Sequence, residues 1–142
     1  MDKQLSIQVE DNPAKEDTDF LDAGLREYNR KFTSVDDHQP LAVFLRDDQG
    51  VIIGGLHGAI YWGWLYIAIF WLHANLRGQG YGRKLLEAAE QAGVERGCHS
   101  AHLDTMDFQA LPFYEKQGYK VFGQIDDMPI GHTRYFLTKK LV

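Results

Sequence analysis

Residues 70–86 read FWLHANLRGQGYGRKLL, an apolar run that gives way to alternate glycines and basic residues and then to a helical pattern. A strand that passes through a glycine turn into a helix belongs to a layered arrangement of sheet and helices, with the turn at the strand's carboxyl end. Gly78, Gly80 and Gly82 remove every second Cβ, so the backbone can bend tightly and present its N–H groups to one bound object. A helix starting here adds unpaired first-turn N–H groups and its positive dipole end. Arg77, Arg83 and Lys84 contribute positive charge, and no carboxylate lies among them. The guest this stretch predicts is a phosphate or pyrophosphate.

Several phosphate-binding designs compete for it. A Walker loop requires Gly-Lys-Ser/Thr, whereas Gly82 is followed by Arg83-Lys84-Leu85, with no hydroxyl to hold magnesium. A dinucleotide fingerprint needs a third glycine where Arg83 stands, so only Asp104 after the next strand supports a nucleotide-dependent oxidoreductase. The spacing Arg77-x-x-Gly80-x-Gly82, flanked by Leu72-His73-Ala74 and Leu85-Leu86, resembles the pyrophosphate loop of the GNAT superfamily of acyl-CoA-dependent N-acyltransferases. A second stretch carries the same resemblance. From Asp107 to Tyr119 the chain has Ala110, Phe113-Tyr114-Glu115-Lys116 and Gly118-Tyr119 where that family commonly has matching residues, and it departs at Asp107, where Asn is usual.

The rest of the chain supplies a compatible order of elements. Leu5, Ile7 and Val9 alternate with polar residues, which predicts a strand over residues 4–10. Asn12-Pro13 predicts a helix start, with Phe20, Leu21, Leu25 and Tyr28 as one apolar stripe to about Phe32. A polar loop over residues 33–40 leads to a strand over residues 41–45, stopped by the turn Asp47-Asp48-Gln49-Gly50. Residues 51–60 return as a strand with a bulge expected at Gly54-Gly55, and residues 65–73 run into the glycine turn. Leu85, Leu86, Ala88, Ala89 and Ala92 predict the buried face of a helix over residues 79–96, ended by Gly97. A strand over 100–105, a short helix over 109–116 and strands over 119–125 and 133–141 follow. The fold class expected is α/β, a mixed and largely antiparallel sheet with helices on both faces, in a single domain over residues 1–142. It is also the order of the GNAT fold.

Charge and composition restrict the partners. A net charge of −5 argues against general nucleic-acid binding, and no apolar run approaches the ~18 residues of a membrane span. The first residues lack a signal-peptide core, and Cys98 is the lone cysteine, which excludes an internal disulfide framework. A cytoplasmic location is expected. His99 and His102 have an odd strand spacing that should point them to opposite faces, and no metal is expected. Aspartates come in adjacent pairs at 36–37, 47–48 and 126–127, the usual composition of solvated turns.

The resemblance implies an N-acetyltransferase that moves an acetyl group from acetyl-CoA to a primary amine by direct transfer in a ternary complex, with no role for Cys98 as nucleophile. The alternative is a non-catalytic acyl-CoA-binding or regulatory domain of the same fold. Such chemistry needs a neutral amine, donors at the developing oxyanion and a proton source for the leaving thiolate. Tyr114 matches the family's acid position. Cofactor contacts are implied at Leu72, Arg77, Gly78, Gln79, Gly80, Tyr81, Gly82 and Arg83, with Asp107 and Lys116 from the second stretch and an oxyanion-facing N–H near Leu72 or His73. The strand before the glycine turn, residues 67–72, offers no carboxylate, so His73, Asp104 and Asp107 are the nearby candidates for a general base, and a water chain to any of them or to bulk solvent would also serve. The acceptor is a small-molecule amine or a protein amino group, and a homodimer is allowed. By the family arrangement Asp36-Asp37 and Asp126-Asp127 flank the acceptor cleft, whereas Asp47-Asp48 lies in a remote hairpin.

Overall fold

Alternate residues of a strand face opposite sides of a sheet, and by that rule Leu41, Val43, Leu45, Leu65, Ile67, Leu103 and Leu137 gather on one packed face. A computed structural model describes residues 3–33 and 37–142. The chain forms two compact units, Met1–Asp36 and Asp37–Val142.

In the larger unit six strands form one sheet: β1 (Gln39–Arg46), β2 (Ile52–Tyr61), β3 (Trp64–Leu72), β4 (Ser100–Met106), β5 (Lys120–Asp126) and β6 (Thr133–Lys140). Their spatial order is β1-β2-β3-β4-β6-β5. Every neighbouring pair is antiparallel except β3 and β4, which are joined by a helical crossover and run parallel. The fold is thus a mixed, mostly antiparallel sheet with helices, as the sequence predicts. Helix α2 (Tyr81–Glu95) packs across β1, β2 and β3 through Leu85, Leu86, Ala89 and Gly93. Ala88, expected on that face, is exposed, because the stripe at 85, 86, 89 and 93 leaves it on the outer side. Gly97 ends the helix at φ 92°, and the next N–H, of Cys98, returns to the Gly93 carbonyl at 2.8 Å.

Leu65, Ile67, Leu86, Ala101, Leu103 and Leu137 form the centre of the core, and Tyr119 is buried beside them. The Tyr119 hydroxyl donates to Glu90 at 2.8 Å, and Lys139 pairs with the other oxygen of Glu90 at 2.9 Å, which ties α2 to β6. Cys98 is buried, its sulfur 3.6 Å from a Cβ built on Gly93, and burial pushes its thiol above the usual value. It packs; it is not an exposed thiolate. Phe44, Ile69 and Trp71, on the other face of the sheet, are exposed.

The expected bulge at Gly54-Gly55 lies elsewhere. Both glycines pair regularly with β3, while Ile53 is skipped between Leu45 and Arg46, and Ala68 is skipped between His57 and Gly58. Glycine marks close approach here: a Cβ on Gly58 would run into the Tyr66 carbonyl.

In the N-terminal unit α1 spans Lys15–Asn29, capped by the backbone of Ala14 with no side-chain cap. The predicted Asn12-Pro13 start therefore falls outside the helix. Lys15 and Asp19 pair at 2.7 Å one turn apart. Phe20, Leu21, Leu25 and Tyr28 keep their stripe and are exposed. Residues 3–10 form no strand. A period of two identifies a face, but a strand also needs a neighbour to pair with, and the described residues of this unit supply none.

Candidate active site

The site begins where a ladder stops. β3 and β4 pair only from Trp64 with Ser100 to Ile67 with Leu103, although β3 continues to Leu72 and β4 to Met106. Beyond that point the two strands run on without joining. His73 donates its N–H to Ile53 of β2 at 2.9 Å, and in an antiparallel ladder successive residues alternate in direction. The backbone groups of Leu72 and Phe70 consequently point toward β4, into the open gap. The Leu72 carbonyl on that edge accepts Nε of Arg77 at 3.2 Å. Of the two N–H groups expected from sequence at an oxyanion, His73 is already committed to β2 and Leu72 faces the gap.

A short 3-10 turn over Ala74–Leu76 carries the chain from β3 to the glycines. Gly78 and Gly80 have φ of 76° and 86°, a left-handed conformation that L side chains rarely adopt. Gly80 caps α2, and a Cβ on either glycine would meet no atom within 4 Å. Among the described residues no group accepts the backbone N–H of Gly78, Gln79, Gly80, Tyr81, Gly82 or Arg83. They form an open cradle at the positive end of α2. Gly82 lies inside the first helical turn and touches Phe113, whose ring is 3.4 Å from a Cβ built there. Arg77 is anchored through Leu72, Arg83 reaches Glu87 at 3.4 Å, and Lys84 lies over the Tyr81 ring at 5.7 Å. Unpaired donors, positive charge and absent Cβ atoms together fit a pyrophosphate.

Helix α3 (Leu111–Lys116) approaches the gap from β4. Gln109 holds the intervening turn by accepting the Met106 N–H at 2.8 Å, and for this reason the helix starts two residues later than expected, with Pro112 in its first turn. The Tyr114 ring packs against Phe70, Phe113 and Tyr119, at centroid distances of 6.3, 5.3 and 6.0 Å. Its hydroxyl bonds to no described residue, yet its oxygen is not sealed from solvent. Burial, with a smaller contribution from the Asp104 carboxylate, pushes the phenol up to about 12. Tyr114 therefore stays protonated, and able to donate, throughout the neutral range. The glycine turn, the free edge of β3 and Tyr114 thus meet around Phe70 and Phe113. Lys116, in the last turn of α3, is exposed.

The alternative bases are all engaged. His73 accepts the Asn75 N–H at Nδ1, 3.3 Å away. Asp104 pairs with Arg134 at 2.8 Å. Asp107 receives the Thr133 N–H on one oxygen and the His132 ring on the other, both at 2.9 Å. Desolvation pushes the Asp107 carboxyl up, but the Thr133 N–H and His132 outweigh it and hold the group below the usual value. The Asp107–His132 pairing was not anticipated. A histidine on a loop 25 positions from its carboxylate leaves no local spacing signal. His99 and His102 both lie edge-on to Trp64, at 5.5 and 5.7 Å, because His99 precedes β4 and escapes strand alternation. Among the described residues no group of histidine, cysteine and carboxylate side chains is arranged to hold a metal.

The aspartate pairs are distributed differently from expectation. Asp37 accepts the Trp62 N–H at 3.1 Å, at the start of β3 and so at the opposite end of the sheet from the glycine turn; Asp36 lies outside the described residues. The Asp47-Asp48 turn stands at the edge of the sheet, two strands from β3, although at the same end as the glycine turn. β1 runs parallel to β3 across the meander, so the end of β1 lies at the same end of the sheet as Leu72. Asp126 and Asp127 lie at the β5–β6 loop, beside Asp107 and Thr133. The strands and turns were legible as a list, but the end of the sheet each turn occupies depends on strand direction.

Comparison with known proteins gives concordant results. The acetyltransferase (GNAT) family matches residues 3–119. A blasticidin-S acetyltransferase of Streptomyces morookaense is 38% identical over 77% of this chain and 83% of that protein. An acetyltransferase of Agrobacterium fabrum is 34% identical over 80% of this chain and 82% of that one. The crystal structure of an acetyltransferase from Bacillus cereus superposes with a TM-score of 0.82 at 29% identity, covering 94% of this chain and 97% of that one. Among the described residues no helix is long and apolar enough to cross a membrane.

Proposed function

The chain belongs to the acetyltransferase (GNAT) family, and from that premise we propose that it transfers an acetyl group from acetyl-CoA to a primary amine, directly and within a ternary complex. The observation that carries this reading is the cradle of unpaired N–H groups at residues 78–83, set at the mouth of the gap between β3 and β4. The match over residues 3–119 supports reading both units as parts of one acetyltransferase domain.

Bound acetyl-CoA supplies an activated thioester whose thiol, with an ordinary pKa of ~8.5, is a fair leaving group. Gly78, Gln79, Gly80, Tyr81, Gly82 and Arg83 hold its pyrophosphate through their N–H groups, and the Arg77 and Arg83 side chains add charge. Lys116, exposed at the end of α3, contributes a further cation to the cofactor. Leu72 directs its N–H at the thioester oxygen, a fixed donor where negative charge develops. Tyr114 donates a proton to the departing sulfur; its raised pKa keeps that proton available at neutral pH. Asp107, a candidate for a pantetheine contact, has both carboxylate oxygens occupied by protein donors, which favours a different part for it.

The relative named for blasticidin S makes that compound the first acceptor to test, followed by amino acids, polyamines and peptides. Purified protein incubated with acetyl-CoA and each amine should release free thiol in proportion to acetylated product. Hydrolysis of acetyl-CoA at the background rate with every amine contradicts the reading.

A further inference from the structure

The acetyl-transfer reading leaves one requirement without a residue: an amine that is an ammonium ion in solution must lose a proton before it can attack. An alkylammonium of pKa ~10.4 is free amine in only about four molecules per 10⁴ at pH 7. Histidine is the side chain best suited to accept that proton near neutrality.

We propose that His132 is the general base and that Asp107 positions it. The proposal rests on the acetyl-transfer reading of this same site. Nδ1 of His132 lies 2.9 Å from Oδ1 of Asp107. An ionised carboxylate has no hydrogen to give, so the shared proton belongs to Nδ1, which leaves Nε2 as an acceptor. Three further contacts fix this geometry. The Thr133 N–H donates to Oδ2 of the same carboxylate at 2.9 Å; the Asp107 N–H donates to the Thr133 carbonyl at 2.9 Å; and the Phe108 ring stands edge-on to the imidazole at 4.9 Å. The His132 side chain is 45% exposed, accessible to an incoming amine. Asp107 directly follows β4, the strand that borders the gap, and leads through Phe108 to the helix bearing Tyr114. Acid and base would thus be placed by the two ends of one short segment. The other charged groups around this loop are Asp126 and Asp127 on the loop side, Arg134 on β6 and Asp104 on β4, the last two paired with each other.

The proton count closes. The ammonium gives one proton to Nε2, which passes it to solvent. Nitrogen then attacks the thioester carbon, and the N–C bond forms as the carbonyl π pair moves to oxygen. When that pair returns, the C–S bond breaks, the sulfur takes a proton from Tyr114, and the phenolate recovers one from the nitrogen. The products are amide, thiol and one released proton.

The test separates a base from a mere loop clamp. His132→Asn keeps a donor where Nδ1 stood, and with it the bond to Asp107, but has no Nε2. At pH 7 it should lower kcat/KM by roughly 10²-fold or more. The deficit should shrink as pH rises and free amine accumulates, while the acetyl-CoA-induced rise in Tm is unchanged. Imidazole added to His132→Ala should restore part of the rate, and Asp107→Asn should weaken catalysis less than loss of the ring does. An unchanged rate in His132→Asn, or a deficit that is the same at every pH and resists imidazole, overturns the assignment. A wild-type chain that acetylates no amine overturns the underlying reaction instead, and this base with it.

Discussion

β3 and β4 lie side by side in two different ways along their length. In the first half, Trp64–Ile67 against Ser100–Leu103, they share a parallel ladder, and Leu65, Ile67, Ala101 and Leu103 are at most 3% exposed. In the second half, β3 from Ala68 to Leu72 pairs with no residue of β4, and its side chains are partly or largely exposed. Both halves are equally apolar in sequence. What differs is backbone pairing: an unskipped register holds the first half closed, whereas the skipped Ala68 on the β2 side marks where β3 parts from β4. A core is made by satisfying every backbone group, and this site is made by leaving some of them unsatisfied in a place that a ligand can reach.

The sharpest way to break that contrast is to substitute within each half. Leu65→Ala in the closed half should cost ~2–5 kcal/mol in urea denaturation, as truncation of a fully buried leucine does. Phe70→Ala in the open half removes a larger side chain, yet it should cost less stability and lower turnover, because the ring supports Tyr114 more than it fills the core. Equal losses of stability with no change in turnover would merge the two halves into one core.

Tyr114→Phe should lower turnover by roughly 10²-fold with little change in acetyl-CoA affinity, the pattern for an interaction made only in the transition state. Since the phenol is pushed up to about 12, the deficit should be uniform between pH 7 and pH 10, where Tyr114 stays protonated. Unchanged turnover when chemistry limits the rate would return Tyr114 to the core.

The elements of this comparison were largely legible in the sequence; their relations were not. The limits of α2, β3 and α3 were readable to within a few residues because each has a period and a stop signal, Gly97 and Gly118 among them. The glycine turn was readable because φ near 80° at Gly78 and Gly80 demands that residue type. The strand expected over residues 4–10 failed because alternation names a face without naming a partner. Asp107 and His132 meet only because β4 and β6 are neighbours, which no short spacing encodes.

Strand direction also reassigns the acceptor side, with the smallest effect expected. Asp126→Asn with Asp127→Asn, at the open end, should raise the apparent KM for a cationic amine several-fold, and the difference should fade as salt shortens the ~8 Å Debye length. Asp37→Asn, at the closed end, should do neither. Identical kinetics for both would make all of these aspartates ordinary turn residues.

The central claim, that the unpaired end of β3 and the turn beyond it hold acetyl-CoA, is tested most directly by titrating acetyl-CoA against wild-type chain and Gly80→Val while following Tm and far-UV circular dichroism. A Cβ at Gly80 would project into open space at the cradle and oppose a φ of 86°, so it should obstruct the ligand without meeting the protein. The wild type should gain about 2.7 kcal/mol of stability at a hundredfold excess over Kd, read as a rise in Tm of several degrees. Gly80→Val should retain the spectrum of a folded chain and lose that rise. A folded Gly80→Val chain that binds acetyl-CoA as the wild type does would contradict the account.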